Sequence, residues 1–441
     1  MITARAFAGK RFGVYGLARS GKACVAALTA SGAAVFAWDD GETARGGFDG
    51  PLTDLNRFDL ASLDALVVSP GVPHSAPLFV AAKAAGIAVI GDIELFAQAR
   101  TELPPHRVVG ITGTNGKSTT TALIHHILTS AGVPSLMGGN IGLPILAQQP
   151  LPAGGVYVLE LSSYQLEITE TLDCDVAVLL NITPDHLDRH GMMKAYVAAK
   201  ARLFTMQTSG DTAVIGIDDR YGADIAATAI ASVVPVSAVR IIDHGVSIVD
   251  HVAWIGRTGL ACAEHWETLQ GPHNAQNAAA AIAVCRALGV ANPAIIDGLA
   301  TYPGLPHRME RVRETGGVLY VNDSKATNAD STAPALAAYP NIRWIAGGLA
   351  KTDDLDACLP HLKHVRAAYL IGDAAPLFGR LLGDKVPVHQ SGTLAVAVAQ
   401  AARDAQPGEV VLLSPACASF DQFSDYEARG RAFVEQVRAL P

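Results

Sequence analysis

A lysine flanked by glycine and hydroxyl side chains stands out in the stretch "VVGITGTNGKSTTT" (108–121). Gly116-Lys117-Ser118 is the close of a phosphate-binding loop, in which the lysine reaches terminal phosphates and the hydroxyl holds Mg²⁺. The usual loop carries a glycine five residues before its last one. Here that position is Ile111; Gly110 comes one residue early and Gly113 two late. The surroundings favour a phosphate site all the same. "RVVGIT" reads as a strand, and "STTTALIHHILTSAG" as a helix with Leu123, Ile124, Ile127 and Leu128 at helical spacing. A strand–loop–helix unit aims backbone N–H groups and the positive helix end at an anion. The candidate cradle is therefore Gly113, Thr114, Asn115, Gly116, Lys117, Ser118 and Thr119. His125 and His126, on the same helix, read as surface or packing residues.

An ATP site of this kind needs oxygen ligands at neighbouring strand ends. "GVYVLELSSYQLE" places Glu160 near the end of an apolar strand, where an uncompensated carboxylate is costly and a cation partner is expected. "DVAVLLNITPDHLDRHG" ends another apolar strand at Asn181 and follows it with Asp185, His186, Asp188 and His190. These residues are candidates for a metal or phosphate role; zinc lacks a cysteine or a further histidine to complete a site. Lys200, in "MMKAYVAAKARLF", has no acidic neighbour at i±4 and by itself reads as a surface lysine. Further along, "YVNDSKATN" sets Asp323 and Lys325 after one strand and "IAGGLAKTDD" sets Lys351 after another. "LLSPACASFDQF" sets Ser414 and Ser419 after a third. Loops at the carboxyl ends of parallel strands line a ligand crevice, and two lysines there suit an anionic ligand.

These residues must be positioned by alternating elements. Short Val/Ile/Leu/Ala-rich runs alternate with Ala-rich helical stretches, which predicts an α/β protein with parallel sheets covered by helices. At 441 residues the chain has room for about three domains. We place them at 1–95, 96–303 and 304–441: a Rossmann-like domain, a central P-loop ATPase-like domain and a second Rossmann-like domain. "TELPPH" (101–106) and "TYPGLPHR" (301–308) are the Pro-rich breaks. The first block has "RFGVYG" and "AVFAWDD" as strands, but its glycines, Gly13, Gly16 and Gly21, do not form GxGxxG. That weakens NAD binding. Asp39 and Asp40 follow the second strand, where ribose-binding carboxylates often sit; a solvated strand end is the equal alternative.

Hydrophobic residues make up 50% of the chain and charged ones 17%, so a packed core is expected rather than disorder. The net charge of -8 argues against a nucleic-acid surface, and no apolar run approaches the ~20 residues needed to cross a bilayer. "MITARAFAGKRF" lacks a signal-peptide core, and the six cysteines form no CxxC pair. A cytoplasmic protein is expected.

The motifs "TGTNGKST", "GNIG", "LELSSYQLE", "NITPDHLDRH", "HNAQN", "LPHRME", "NDSKATN" and "LSPACASFDQF" occur in this order. On them the chain resembles the Mur ligase family along its whole length. "TGTNGKST" also marks folylpolyglutamate synthetases, whose loop shares the shortened glycine spacing. "ELSSYQLE", "NDSKATN" and "SPACASFDQF" point more narrowly to the D-glutamate-adding branch.

The resemblance implies an ATP-dependent amide ligase acting through an acyl phosphate, with UDP-N-acetylmuramoyl-L-alanine, D-glutamate and ATP as substrates. It implies that Lys117 and the loop amides bind ATP phosphates, and that Ser118 and Glu160 serve one Mg²⁺. Glu160 and His186 would hold a second, with Lys200 as a carbamate, in place of the surface role. Carbamylation needs a neutral amine and turns a cation into an anionic oxygen ligand. Asn274, Asn277, Arg308, Asp323 and Lys325 are implied around the nucleotide. Asn140, Ser162 and His186 would face the muramoyl substrate; Arg19, Ser20, Gly21, Asp39, Asp40 and Ser69 would face its uridine diphosphate. Thr327, Lys351, Ser419, Phe420 and Tyr426 would bind D-glutamate. A monomer without nucleic-acid or membrane partners is expected.

Three rivals remain open from sequence. A superfamily ligase for another amino acid or folate is disfavoured by "NDSKATN" and by the absence of "DNPR". A nucleotide-dependent switch would carry NKxD, and Asn-Lys occurs nowhere. A Rossmann oxidoreductase would need the missing GxGxxG.

Overall fold

The computed structural model describes residues 1–269 and 271–441. The side chain of Asp188, a candidate above, lies outside the described ones, as do those of Pro272 and His273. The chain divides into two compact units, Met1–Tyr302 and Pro303–Pro441.

The first unit contains two sheets. One is the parallel sheet β2–β1–β3–β4, from Arg11–Tyr15 (β1), Ala34–Trp38 (β2), Ala65–Val68 (β3) and Ala88–Ile90 (β4). The other has nine strands in the order β13–β12–β11–β10–β9–β8–β5–β7–β6. Its parallel part is His106–Thr112 (β5), Ser135–Gly139 (β6), Gly155–Glu160 (β7), Val176–Leu179 (β8), Thr212–Gly216 (β9), Ser232–Ser237 (β10) and Val246–Val249 (β11). Val252–Ile255 (β12) and Thr258–Cys262 (β13) continue it antiparallel.

β5 lies between β7 and β8 and is buried from Val108 to Thr112. It reads as an unbroken apolar run because both faces are covered. The helix Lys117–Ser130 buries Leu123, Ile124, Ile127 and Leu128, the stripe that the spacing predicts. A continuous apolar core joins the two sheets, from Phe7, Phe12 and Phe96 to Tyr157 and Leu159. Phe96 and Tyr157 meet edge to face at 5.1 Å. The Glu94 carboxylate accepts from the backbone N–H of Glu170 (2.7 Å) and Thr171 (2.9 Å). Such hydrogen bonds keep this buried charge compatible with the core.

The second unit holds the six-stranded sheet β14–β15–β19–β16–β17–β18. Its strands are Glu310–Thr315 (β14), Val318–Asn322 (β15), Ile342–Gly347 (β16), Val365–Ile371 (β17), Val388–Gly392 (β18) and Val410–Leu413 (β19). Only β14 pairs antiparallel. The sequence reading anticipated β15, β16 and β19 as the strands before Asp323, Lys351 and Ser414, and β17 as the apolar run "AAYLIGD" (367–373). It missed β14 and β18, edge strands too polar to stand out. Among the described residues no helix is long and apolar enough to cross a membrane.

Candidate active site

The phosphate loop is Gly113 to Gly116, four residues between the end of β5 and the helix beginning at Lys117. This resolves the displaced glycine. Ile111 is a fully buried residue of β5, paired to Glu160 and Val178, so it was never a loop position. Gly110 is a packing glycine: a Cβ there would lie 2.8 Å from Cys174 Sγ and 3.1 Å from both Leu161 and Leu203. Gly116 has φ 86°, in the left-handed region that favours glycine. A Cβ on it would lie 2.1 Å from Asn277 Oδ1.

The loop is braced from the strand end after β8. Thr114 N–H donates to Asn181 O (2.8 Å) and Asn115 N–H to Asn181 Oδ1 (2.9 Å). Asn181 Nδ2 in turn donates to Gln276 Oε1 at 2.7 Å. The amides of Thr114 and Asn115 thus brace the loop against Asn181. Asn277, expected beside adenine, is buried against Gly116 and accepts from Thr120 Oγ1 (3.2 Å); it donates to Asn274 Oδ1 at 3.2 Å.

Two amines converge on one carbonyl. Lys117 Nζ donates to Gly113 O and Thr114 O, both at 2.8 Å, and Lys200 Nζ donates to Gly113 O at 2.8 Å. Lys200 is not on the surface: it is 1% exposed, with its ammonium 4.5 Å from the Tyr196 ring centroid. Burial, reinforced by the charge of Lys117, pushes its pKa down to about 6. Tyr196, Lys200, Leu203 and Phe204 are all buried on the helix Met193–Thr205. That stripe was the signal that the i±4 charge argument overlooked.

Glu160 closes β7 and is 3% exposed. Asn140 Nδ2 donates to its Oε1 at 2.9 Å, while Oε2 is buried with no hydrogen-bond partner. Such an acceptor fits a cation, and the Ser118 hydroxyl, also in a buried residue, is suited to share it. Among the described residues no three His, Cys, Asp or Glu side chains form a ready metal cage. Ser162 caps the helix Ser163–Glu167 in a capping box with Gln165, so its hydroxyl already has partners. His186 sits at φ 52°, with Nδ1 3.0 Å from Tyr164 OH.

In the first sheet, Gly16 and Gly21 bracket the turn after β1. A Cβ on Gly21 would fall 1.8 Å from Gly16 O, and Ser69 Oγ donates to that carbonyl at 2.8 Å. Asp39 accepts from Leu17 N–H (2.7 Å) and Gly41 N–H (2.8 Å). Asp40 accepts from Tyr15 OH, Trp38 Nε1 (3.0 Å) and Asn56 Nδ2 (3.4 Å). These bonds, Tyr15's foremost, hold the Asp40 carboxyl below its ordinary pKa. Both carboxylates thus shape the turn. Arg19 Nη2 donates to Gly142 O at 2.7 Å, which brings it to the "GNIG" loop; Arg19 begins the helix Arg19–Ala30 and Ser20 follows it.

Within the second unit, Lys351 Nζ donates to Thr327 Oγ1 at 3.1 Å, joining two residues expected at D-glutamate. Ser419 is buried and Phe420 is 69% exposed. Lys325 Nζ lies 5.5 Å from the Tyr426 ring centroid. Asp323 accepts from Ser414 Oγ (2.7 Å), and burial pushes its pKa up to about 7. Arg308, whose Nε is buried without a hydrogen-bond partner, pulls the other way. Sequence reasoning missed Arg429, which is 1% exposed. It donates to Ser324 Oγ (3.0 Å), Ser324 O (2.8 Å), Cys417 O (3.0 Å) and Ala418 O (3.2 Å). It shares a buried stripe with Phe433 and Val437.

A glycine-rich loop opening a helix, with Lys117 and Lys200 on one carbonyl and the Glu160 carboxylate at a neighbouring strand end, is the arrangement of a phosphate-binding loop. Residues 111–285 match the Mur ligase middle domain, and residues 307–417 match the Mur ligase glutamate ligase domain. The chain belongs to the Mur ligase family. It is 57% identical over 449 residues to the UDP-N-acetylmuramoylalanine–D-glutamate ligase of Sphingopyxis alaskensis, covering 100% of both chains. It is 56% identical over 443 residues to the ligase of that name from Novosphingobium aromaticivorans, covering 100% of this chain and 97% of the relative. Its fold is shared with UDP-N-acetylmuramate–alanine ligase from Thermotoga maritima, at TM-score 0.62 and 17% identity over 98% of this chain and 99% of that one.

Proposed function

We propose that this chain joins D-glutamate to UDP-N-acetylmuramoyl-L-alanine at the expense of ATP, a step in making the peptidoglycan precursor. The observation that carries the reading is its full-length identity to ligases of that name. The arrangement of Lys117, Glu160 and Lys200 supports the chemistry. Residues 1–95 bind the uridine diphosphate, 96–303 bind ATP, and 304–441 bind the amino acid, in a monomer working in the cytoplasm.

The alanine carboxylate attacks the γ-phosphorus, its new O–P bond forming as the bond to ADP breaks, to give an acyl phosphate. Lys117 leaves the Gly113 and Thr114 carbonyls and offsets the charge on the transferring phosphoryl group. Bound Mg²⁺ supplies further charge neutralisation between the two anions. The unpartnered Glu160 oxygen and Ser118 would hold one ion, and Glu160, His186 and a Lys200 carbamate the second. Lys200 suits carbamylation because its depressed pKa leaves the amine neutral near pH 7. The amine of D-glutamate, gripped near Thr327, Lys351, Ser419 and Phe420, then attacks the acyl carbon. Phosphate departs from the tetrahedral intermediate and the amine loses a proton.

With ATP and Mg²⁺, the purified protein should release phosphate only when both UDP-N-acetylmuramoyl-L-alanine and D-glutamate are present. Release with L-glutamate or a diamino acid would correct the acceptor. No release with any pairing would overturn the ligase reading.

A further inference from the structure

Three cationic or potentially cationic side chains surround the carboxylate of Glu167, the last residue of "LSSYQLE". His74 Nε2 lies 3.4 Å from Oε2, Arg189 Nη2 3.8 Å from Oε2, and His190 Nδ1 3.2 Å from Oε1. The Glu167 side chain is 21% exposed, Arg189 13% and His190 0%. These are half-buried contacts, less screened than ordinary surface pairs.

The partners come from both halves of the first unit. His74 lies in the segment between β3 and the helix Pro77–Ala84, where its ring stacks on Phe79 at 4.3 Å. That segment begins at Ser69, which braces Gly16 in the turn after β1, and Val72 N–H donates to Ser69 O at 3.0 Å. Arg189 Nη1 donates to Val72 O at 2.9 Å while its guanidinium covers the Tyr164 ring at 4.1 Å. Tyr164 OH meets His186 Nδ1, and His190 Nε2 meets Ser163 Oγ at 3.0 Å. A continuous path thus runs from the uridine-side turn, through Glu167 and Arg189, to the segment that follows Glu160.

We propose that Glu167 is a positioning residue: with His74, Arg189 and His190 it fastens the uridine-binding sheet to the catalytic end of β7, setting the substrate's alanine carboxylate against the phosphate loop. This rests on the ligase reading above. One substrate spans both sheets on that reading, so a small shift of one sheet against the other misplaces the reacting carboxylate; errors near 1 Å can cost about a hundredfold in rate. The clamp acts on the uridine substrate, and none of these contacts reaches Asn181 or Gln276, which brace the phosphate loop.

The test uses full-length Glu167→Gln, His74→Gln and the double variant, each first shown to melt cooperatively. Affinity for UDP-N-acetylmuramoyl-L-alanine is measured by calorimetry, alongside KM for ATP and for D-glutamate. Glu167→Gln should weaken uridine-substrate binding about tenfold, because a substrate that spans both sheets loses fit when one shifts against the other. KM for ATP should stay within about twofold, and the double variant should be no worse than Glu167→Gln alone, as expected of coupled partners. His74→Gln, at a part-exposed position, reads the same link if Glu167→Gln fails to fold. Unchanged uridine-substrate affinity, an equal rise in KM for ATP, or additive single effects would overturn the clamp. Failure of the wild-type protein to bind the uridine substrate would overturn the function itself, and the clamp with it.

Discussion

Lys200 in the first unit and Arg429 in the second are both basic side chains, each 1% exposed and set on the apolar stripe of a helix. Their surroundings differ. Arg429 donates four hydrogen bonds to Ser324, Cys417 and Ala418. A guanidinium so satisfied stays charged even though burial lowers its pKa to about 10. Lys200 has the Gly113 carbonyl and the Tyr196 ring, with Lys117 donating to the same carbonyl. Burial, with the charge of Lys117 beside it, pushes the Lys200 pKa down to about 6. A fully bonded buried cation works as scaffold, here tying residue 324 to 417 and 418, whereas an under-bonded one is chemically available. Glu160, with one oxygen bonded and one not, is the anionic counterpart of Lys200.

The contrast can be broken most forcefully at the charge that must move. Lys117→Ala should lower the rate of acyl-phosphate formation by about a thousandfold or more, read by single-turnover phosphate release. Near-normal turnover would remove Lys117 from the phosphoryl transfer. Arg429→Met leaves several buried carbonyls without donors and should destabilise the second unit by about 2–4 kcal/mol, seen as an earlier unfolding transition. A neutral outcome would deny that Arg429 is scaffold.

Lys200→Met should do the opposite in carbonate-free buffer. With a folded pKa near 6 against about 10.4 in the unfolded chain, the unfolded state binds the proton across that window and the folded state does not. Stability conferred by the rest of the fold is therefore offset most below pH 6 and recovers as pH rises toward 10. The methionine variant should be more stable by about 4–5 kcal/mol at pH 7 and lack this slope, while losing activity. Equal pH slopes in the two proteins would show that Lys200 is not held neutral. The smallest expected effect is chemical rescue: Lys200→Ala should regain part of its activity with acetate, and full activity without acetate would exclude a carbamate role.

The strands were legible wherever both faces are covered, as at β5 and β7, because such strands are continuous apolar runs. The polar edges β14 and β18 and the antiparallel addition β12–β13 were not, since half-exposed strands carry little apolar signal. At the site, "TGTNGKST" revealed the loop, but its odd glycine needed the structure. Ile111 and Gly110 belong to the buried strand, and the loop proper is short. Lys200 and Arg429 had the same hidden signal, a charge on an apolar helical stripe, which local charge pairing obscures. The side chains that brace the loop, Asn181 and Gln276, are 95 residues apart and could be joined only by the fold. Asp39, Asp40 and Ser162 show the converse: polar residues expected at substrate also spend hydrogen bonds on turns and caps.

The central claim is tested most directly by the mass of the uridine nucleotide after incubation with ATP, Mg²⁺ and a mixture of isotopically distinguished D- and L-glutamate. The account predicts that it gains one glutamyl residue, derived from the D isomer alone, with one ADP formed per product. A nucleotide of unchanged mass, or one carrying the L isomer, would contradict it.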